Sequence, residues 1–355
     1  MTIREIIERR LSCQHILTST FSKPNEIIRW FGAMQSQDFS GAIWAISQRL
    51  NLLSKKEVET TFNEGTILRT HLLRPTWHFV TPEDIAWILK LSAPRVKKAM
   101  GTYNKTLGLN DTIFEDSETI ITNELKHDKY LARNEIGMLL KKNGITWQGN
   151  GLAHIVMNAE LNASICSGPI QNNKQTYALF SERVPNPITI TKDAALKELT
   201  RRYFQSHGPA QISDYVWWSG LLTIDAKKGI ELNTQLKHTT VEGKEYYFFD
   251  EPYQKNSKQV YLLSNYDEYT VAFRDRDVLT EHVDKTKLDF RQNSLFNNVV
   301  LIDGKIEGVW RRTIQSRRVT IETRLFKTLN VSEEESLSKA LHEYADFLEL
   351  ELRRG

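Results

Sequence analysis

Leu131-Ala132-Arg133-Asn134-Glu135-Ile136-Gly137-Met138-Leu139-Leu140-Lys141-Lys142-Asn143-Gly144 is the stretch whose reading decides the fold. Ile136, Leu139 and Leu140 recur at helical spacing, and Asn143-Gly144 stops the helix. Residues 151–160 follow as a second helix, with Leu152, Ile155, Val156 and Ala159 on one face. Two β-like runs come next, Ser164-Ile165-Cys166-Ser167 and Thr176-Tyr177-Ala178-Leu179-Phe180, separated by Gly168-Pro169 and Asn172-Asn173. With a helix expected around residues 118–127 in front, the order is three helices and a hairpin. That is the order of a winged helix.

The same pattern recurs on both sides. Downstream, helices are expected over 192–206, 210–218 and 223–232, followed by strands 236–241 and 246–249 across Glu242-Gly243. Upstream, helices over 3–17, 25–31, 41–50 and 55–62 lead to strands 66–73 and 76–80, turning near Arg74-Pro75. The end of the chain changes character. Segments 259–263, 270–273, 299–303, 305–310 and 318–325 read as strands, and Asp303-Gly304 is a hairpin signal. They suggest a small closed or half-closed β-barrel. Ser332, with Glu335 in the capping-box position, is expected to start a last helix carrying Leu337, Leu341, Tyr344 and Leu348 on one stripe. The expected class is α+β: three tandem winged helices followed by a β-barrel. Expected boundaries are 1–95, 96–190, 191–255 and 256–330, with a final helix over 331–355.

Composition narrows the setting. The 355 residues are 40% hydrophobic and 26% charged, as in an ordinary folded protein of several modules. No stretch approaches the roughly 18 apolar residues that would span a bilayer, and Met1–Arg10 has no secretory core. Two cysteines, Cys13 and Cys166, make neither a disulfide framework nor a zinc cluster. The expectation is a cytoplasmic monomer without cofactor or metal. Overall charge is only +3, yet residues 291–330 hold eight Lys/Arg against three acids, a net +5. A local basic field of that kind attracts polyanions.

Chemistry concentrates in Met34-Gln35-Ser36-Gln37-Asp38-Phe39, between two expected helices. Residues i and i+2 diverge on a helix but share a side in extended backbone. Gln35 and Gln37 therefore converge only if the chain unwinds here. Gln35-Ser36-Gln37-Asp38-Phe39, running on to Gly41-Ala42-Ile43-Trp44-Ala45, resembles the Gln-x-Gln region of the AlkZ-like DNA glycosylases. Further matches, in the same order, are residues 68–80 (Leu-Arg-Thr-His-Leu-Leu-Arg-Pro-Thr-Trp-His-Phe-Val), 262–269 with Arg274-Asp275-Arg276, and Asp303-Gly304 with 308–312. The resemblance covers nearly the whole chain. It implies three winged helices and a barrel in a C-shape around duplex DNA, with Gln35 and Gln37 catalytic. A sister branch carries Asp at the position of Gln37, so this chain falls on the Gln-x-Gln side. Ser36 departs from the usual apolar middle residue, which bears on substrate preference.

A neutral amide is a poor base, but its carbonyl orients water and its NH₂ holds a lesion. It suffices where the leaving group is already cationic, as in N7-alkylguanine or N3-alkyladenine, because positioning and stabilisation of the sugar cation then carry the reaction. The expected partner is double-stranded DNA with alkylated bases, and interstrand crosslinks fit an open groove. Asp38 reads either as a stabiliser of that cation or as a helix N-cap. Arg69, His71, Arg74 and His78 on the first wing, and Arg311, Arg312, Arg317 and Arg318 near the end, are the expected DNA contacts. His71 and His78 lack the supporting acid or cysteine spacing of a metal site. The rival readings are a non-catalytic winged-helix regulator and a protein-docking module. Both leave the Gln-x-Gln resemblance without a use.

Overall fold

The computed structural model describes residues 1–50, 52–255, 259–280, 283 and 297–354. Helix α1 (Ile3–Cys13) opens on a Thr2–Glu5 capping box. One order of elements then comes round repeatedly. First are α2 (Pro24–Phe31), β1 (Met34–Gln35), α3 (Phe39–Gln48), α4 (Lys55–Glu64) and the hairpin β2 (Leu68–Leu72) and β3 (Arg74–Val80). The long helix α5 (Pro82–Thr106) leads to α6 (Asp111–Glu124), β4 (Leu131–Ala132), α7 (Arg133–Lys142), α8 (Gly151–Leu161), β5 (Ile165–Ser167) and β6 (Thr176–Leu179). After the short α9 (Phe180–Arg183) come α10 (Lys192–His207), α11 (Ile212–Ser219), α12 (Thr223–Glu231), β7 (Lys237–Val241) and β8 (Lys244–Phe248).

Connectivity and pairing agree among these stretches. In the first and second, the short strand joins the hairpin's second strand, giving sheet orders β1-β3-β2 and β4-β6-β5. In the third it shrinks to one bridge, Ala210 with Tyr247 of β8. The β7–β8 turn follows the sequence signal. Val241 pairs with Lys244 across Glu242-Gly243, whose φ values of 48° and 75° are those of a two-residue hairpin turn. The first hairpin turns one residue earlier than expected, at Leu73, whose φ is 61°.

The remaining elements are β9 (Val260–Leu263), α13 (Glu268–Val271), α14 (Asp277–Thr280), β10 (Asn298–Ile302), β11 (Lys305–Gln315), β12 (Arg318–Leu325), α15 (Val331–Phe347) and β13 (Glu351–Arg354). They form a sheet of order β13-β12-β11-β10-β9. The expected strand over 270–273 is instead the end of α13. The Asp267 side chain accepts from Tyr269 N at 2.8 Å and starts a helical turn, which overrides the β-preference of Thr270 and Val271. The fifth strand comes from the chain's end, where β13 lies parallel to β12. Among the described residues β9 and β13 stay unpaired edges, so the sheet is open, the half-closed form of the expected closed or half-closed barrel. The last helix also starts earlier than expected, on an Asn330–Glu333 capping box.

The first hairpin lies between two cores. Leu68, Leu72 and Val80 join α5, α10 and α11 in one, while Phe79 joins α2, α3, the large sheet and α15 in the other. Every residue of β2 is consequently buried.

Candidate active site

Gly32 ends α2 with φ 80°, and the chain then runs extended. Met34 pairs with Phe79 and Gln35 with His78, and Ser36 N donates to Trp77 O at 2.8 Å. Helix resumes at Phe39, where the Asp38 carboxylate accepts from Gly41 N at 3.1 Å. The two glutamines thus sit in the unwound stretch that their spacing requires, and Asp38 takes up the N-cap role.

Gln35 is buried and held from both ends. Its backbone N–H donates to Glu268 Oε1 at 2.6 Å, and its side-chain oxygen accepts from Arg74 Nη2 at 2.6 Å. A guanidinium has donors only, so the oxygen must face Arg74 and the NH₂ lies on the other side. Gln37 is exposed, and its oxygen meets Trp77 N at a long 3.4 Å. Glu268, at 1% exposure, is the hub beneath. Its second oxygen accepts from Trp218 Nε1 and faces His207 Nε2, each at 3.1 Å. Burial pushes the Arg74 guanidinium down to about 10, with the Glu268 carboxylate opposing that shift.

The structure assigns the other first-hairpin residues to the frame and not to an outer face. Arg69 is buried, and its Nε and Nη2 donate to Ser36 O at 3.1 and 2.8 Å. Its Nη1 bonds to Gln175, and the guanidinium lies 4.4 Å from the Trp77 ring centre. Burial lowers this group to about 10 as well. His71 is bonded to the buried Glu160. His78 has no exposed surface, its Nδ1 meets Thr76 O at 2.9 Å, and burial and then Arg74 hold it well below the usual histidine range. Arg69, His71 and His78, expected at the DNA, are buried in this structure. Strand alternation separates the faces of a hairpin but does not say that α5 and α8 cover them.

The C-terminal arginines are disposed differently. Arg311 is exposed and forms a two-pronged bond to Glu322 at 2.7 and 2.8 Å. Arg318 pairs with Glu351 at 2.9 Å, and Arg317 is exposed beside the β11–β12 turn. Arg312 lies 5.7 Å over the Tyr344 ring. Burial is the main force raising the Tyr344 phenol, with Arg312 lowering it and Asp38 raising it. Arg291 lies outside the described residues.

Sequence reasoning placed residues 262–269 in a matched motif but gave them no task. Asp267 forms a fully buried pair with Arg49 at 2.8 Å, and Glu268 anchors Gln35. The available signal was two adjacent acids in a largely apolar and aromatic run, a pattern expected when buried charges are paired.

A family model described as DNA glycosylase AlkZ-like matches residues 28–347. The interstrand DNA cross-link repair glycosylase of Streptomyces sahachiroi is 20% identical over 354 residues, spanning 89% of this chain and 90% of that protein. The solved structure of the Streptomyces sahachiroi DNA glycosylase AlkZ shares the fold. It has a TM-score of 0.77 at 16% identity, over the full length of both chains.

Proposed function

The chain belongs to the AlkZ-like DNA glycosylase family, and from that premise we propose that it hydrolyses the N-glycosidic bond of cationic alkylated purines in duplex DNA. N7-alkylguanine and N3-alkyladenine are the substrates, and an interstrand crosslink through N7 is a further one. In this reading the three repeated units are winged helices, and the enzyme is monofunctional and acts in DNA repair. The observation that carries it is the extended Gln35-Ser36-Gln37 segment, clamped by Glu268, Arg74 and Arg69.

The clamp divides the work between the amides. Gln35 has its oxygen committed to Arg74, so it offers NH₂ as a donor toward the lesion or the water. Gln37, exposed and weakly bonded, has an oxygen lone pair left to orient the attacking water. A cationic purine leaves without an acid, so ordering the water against the sugar is enough. Water adds to C1′, the C1′–N bond breaks with its electrons going to the base, and the water proton passes to solvent. No lysine lies within the segment to form a Schiff base, so the product is an intact abasic strand.

The test is single-turnover release of base from duplex DNA carrying one N7-methylguanine. Gln37→Ala should lose about 10²–10³ in rate while DNA affinity holds. Gln37→Glu, which keeps an oxygen for water, should retain activity. Wild-type rates in both Gln35→Ala and Gln37→Ala, or a borohydride-trapped covalent adduct, would overturn the mechanism.

A further inference from the structure

Beside the Gln-x-Gln segment, between β2–β3 and β4–β6, is a cavity of about 250 Å³ lined by Arg69, Trp77, Arg133, Glu160 and Tyr177 among others. It shares two residues with the segment: Arg69, which grips the Ser36 carbonyl, and Trp77, whose backbone N–H meets Gln37. Its volume is below the roughly 300–1,000 Å³ typical of sites for drug-sized ligands, which suits one fused ring system and not a whole nucleotide.

The cavity is lined by polar groups of both kinds, acceptor and donor. Glu160 is wholly buried, and His71 takes only one of its oxygens, Oε2. The other, Oε1, is buried and has no hydrogen-bond partner. Leaving a carboxylate oxygen unpaired in the interior is costly, and such groups in native proteins call for a partner. Arg133 is exposed at the same cavity and supplies donors. An acceptor beside a donor matches the Watson–Crick edge of guanine, which offers N1–H and N2–H and accepts at O6. Adenine turns a bare N1 acceptor toward the same place, against the carboxylate. Trp77 and Tyr177 supply aromatic surface for the ring, as in pockets that receive an extruded base.

We propose that this cavity holds a single guanine base, with Glu160 Oε1 taking its N1–H and Trp77 lying against its ring. The proposal rests on the glycosylase reading only for the source of the base, a small N7-alkylguanine turned out of the duplex. A guanine still tied to the opposite strand cannot enter, so the cavity selects among simple lesions and leaves crosslinks to the open groove.

Two measurements test it on the full chain. Free 7-methylguanine should bind the wild-type protein at least about 10-fold more tightly than free 3-methyladenine, because a site built to accept a hydrogen bond from N1–H rejects a base with an acceptor there. Glu160→Gln, which keeps an oxygen for His71, should erase that preference. In single-turnover excision it should slow N7-methylguanine release about 10–100-fold and change N3-methyladenine release by less than about threefold. Equal binding of the two bases, no binding of either, or a parallel fall in both excision rates overturns the proposal. The wild-type binding arm stands even where the variant does not fold. It also separates the two readings: guanine binding without release of any base sinks the glycosylase and keeps the cavity, whereas release without selective binding does the reverse.

Discussion

Two arginine-bearing hairpins read alike in the sequence and differ in the structure. On β2–β3, buried Arg69 bonds to Ser36 and Gln175, and half-buried Arg74 bonds to Gln35. On β11–β12, Arg311, Arg317 and Arg318 stand exposed, with Arg311 and Arg318 paired to the surface carboxylates Glu322 and Glu351. A guanidinium among buried carbonyls fixes a geometry. The same group in water contributes a field that a polyanion can use. The difference comes from what covers each hairpin, since α5 and α8 pack against β2 whereas the far half of β11 is largely exposed among the described residues.

The sharpest way to break this contrast is Arg69→Ala. It strands the Ser36 carbonyl and opens space under Trp77, so unfolding free energy should drop by about 2–4 kcal/mol. Displacement of the Gln-x-Gln segment by an ångström or so should cost about 10²-fold in excision rate. The salt dependence of DNA binding should stay at the wild-type slope, because an inward guanidinium neutralises no phosphate. Denaturant melts and a salt titration on the same preparation decide it. A flattened slope with intact stability would put Arg69 on the DNA face after all.

How much of this was legible beforehand follows the same division. The helix-and-hairpin units could be read because periodicity, caps and turn pairs such as Glu242-Gly243 are local signals. The extended state of Gln35 and Gln37 could be reasoned from their spacing. The inward turn of Arg69, His71 and His78 could not, since it depends on α8 and β5, which arrive about ninety residues later in the chain. Glu268 was hidden for the same reason, because its bond to Gln35 crosses 233 positions. The strand expected at 270–273 failed because one carboxylate, Asp267, recruits the backbone locally and outweighs a run of β-formers.

The exposed hairpin should respond in the opposite sense. Arg311→Ala with Arg312→Ala should lower stability by no more than about 1 kcal/mol, the part lost where Arg312 lies over the Tyr344 ring. It should weaken binding to any DNA sequence about 10-fold at moderate salt, and lower the slope of log K against log salt by between one and two. The full value of two is not expected, because Glu322 already holds the Arg311 guanidinium and raises its pKa. Glu322→Gln releases that arginine and should tighten binding a few-fold at low salt. No gain from Glu322→Gln, together with no loss from the double substitution, would move the DNA face away from this hairpin.

The smallest expected effect sharpens the buried side through pH. His78 has its folded pKa well below the usual value, because burial and the nearby Arg74 disfavour the charged ring. In the unfolded chain it titrates near 6.5. Above that pH the ring is neutral in both states and its contribution is fully present. Below it the unfolded chain gains a proton that the folded one refuses, so stability falls as the solution is acidified, down to the folded pKa. Between pH 7.5 and 5.5 this loss is about 1.4 kcal/mol, a shift of roughly 2 °C in a chain of this size. His78→Asn keeps a donor for Thr76 O but removes the titration. It should melt lower at every pH and lose less on acidification than the wild type. His15 and His154, whose pKa values burial also lowers, contribute to the slope that remains. The Arg311–Glu322 pair, open to solvent, should leave the 5.5–7.5 window flat when it is removed. A His78→Asn protein with the full wild-type acid sensitivity would mean that the ring takes up its proton without leaving the fold.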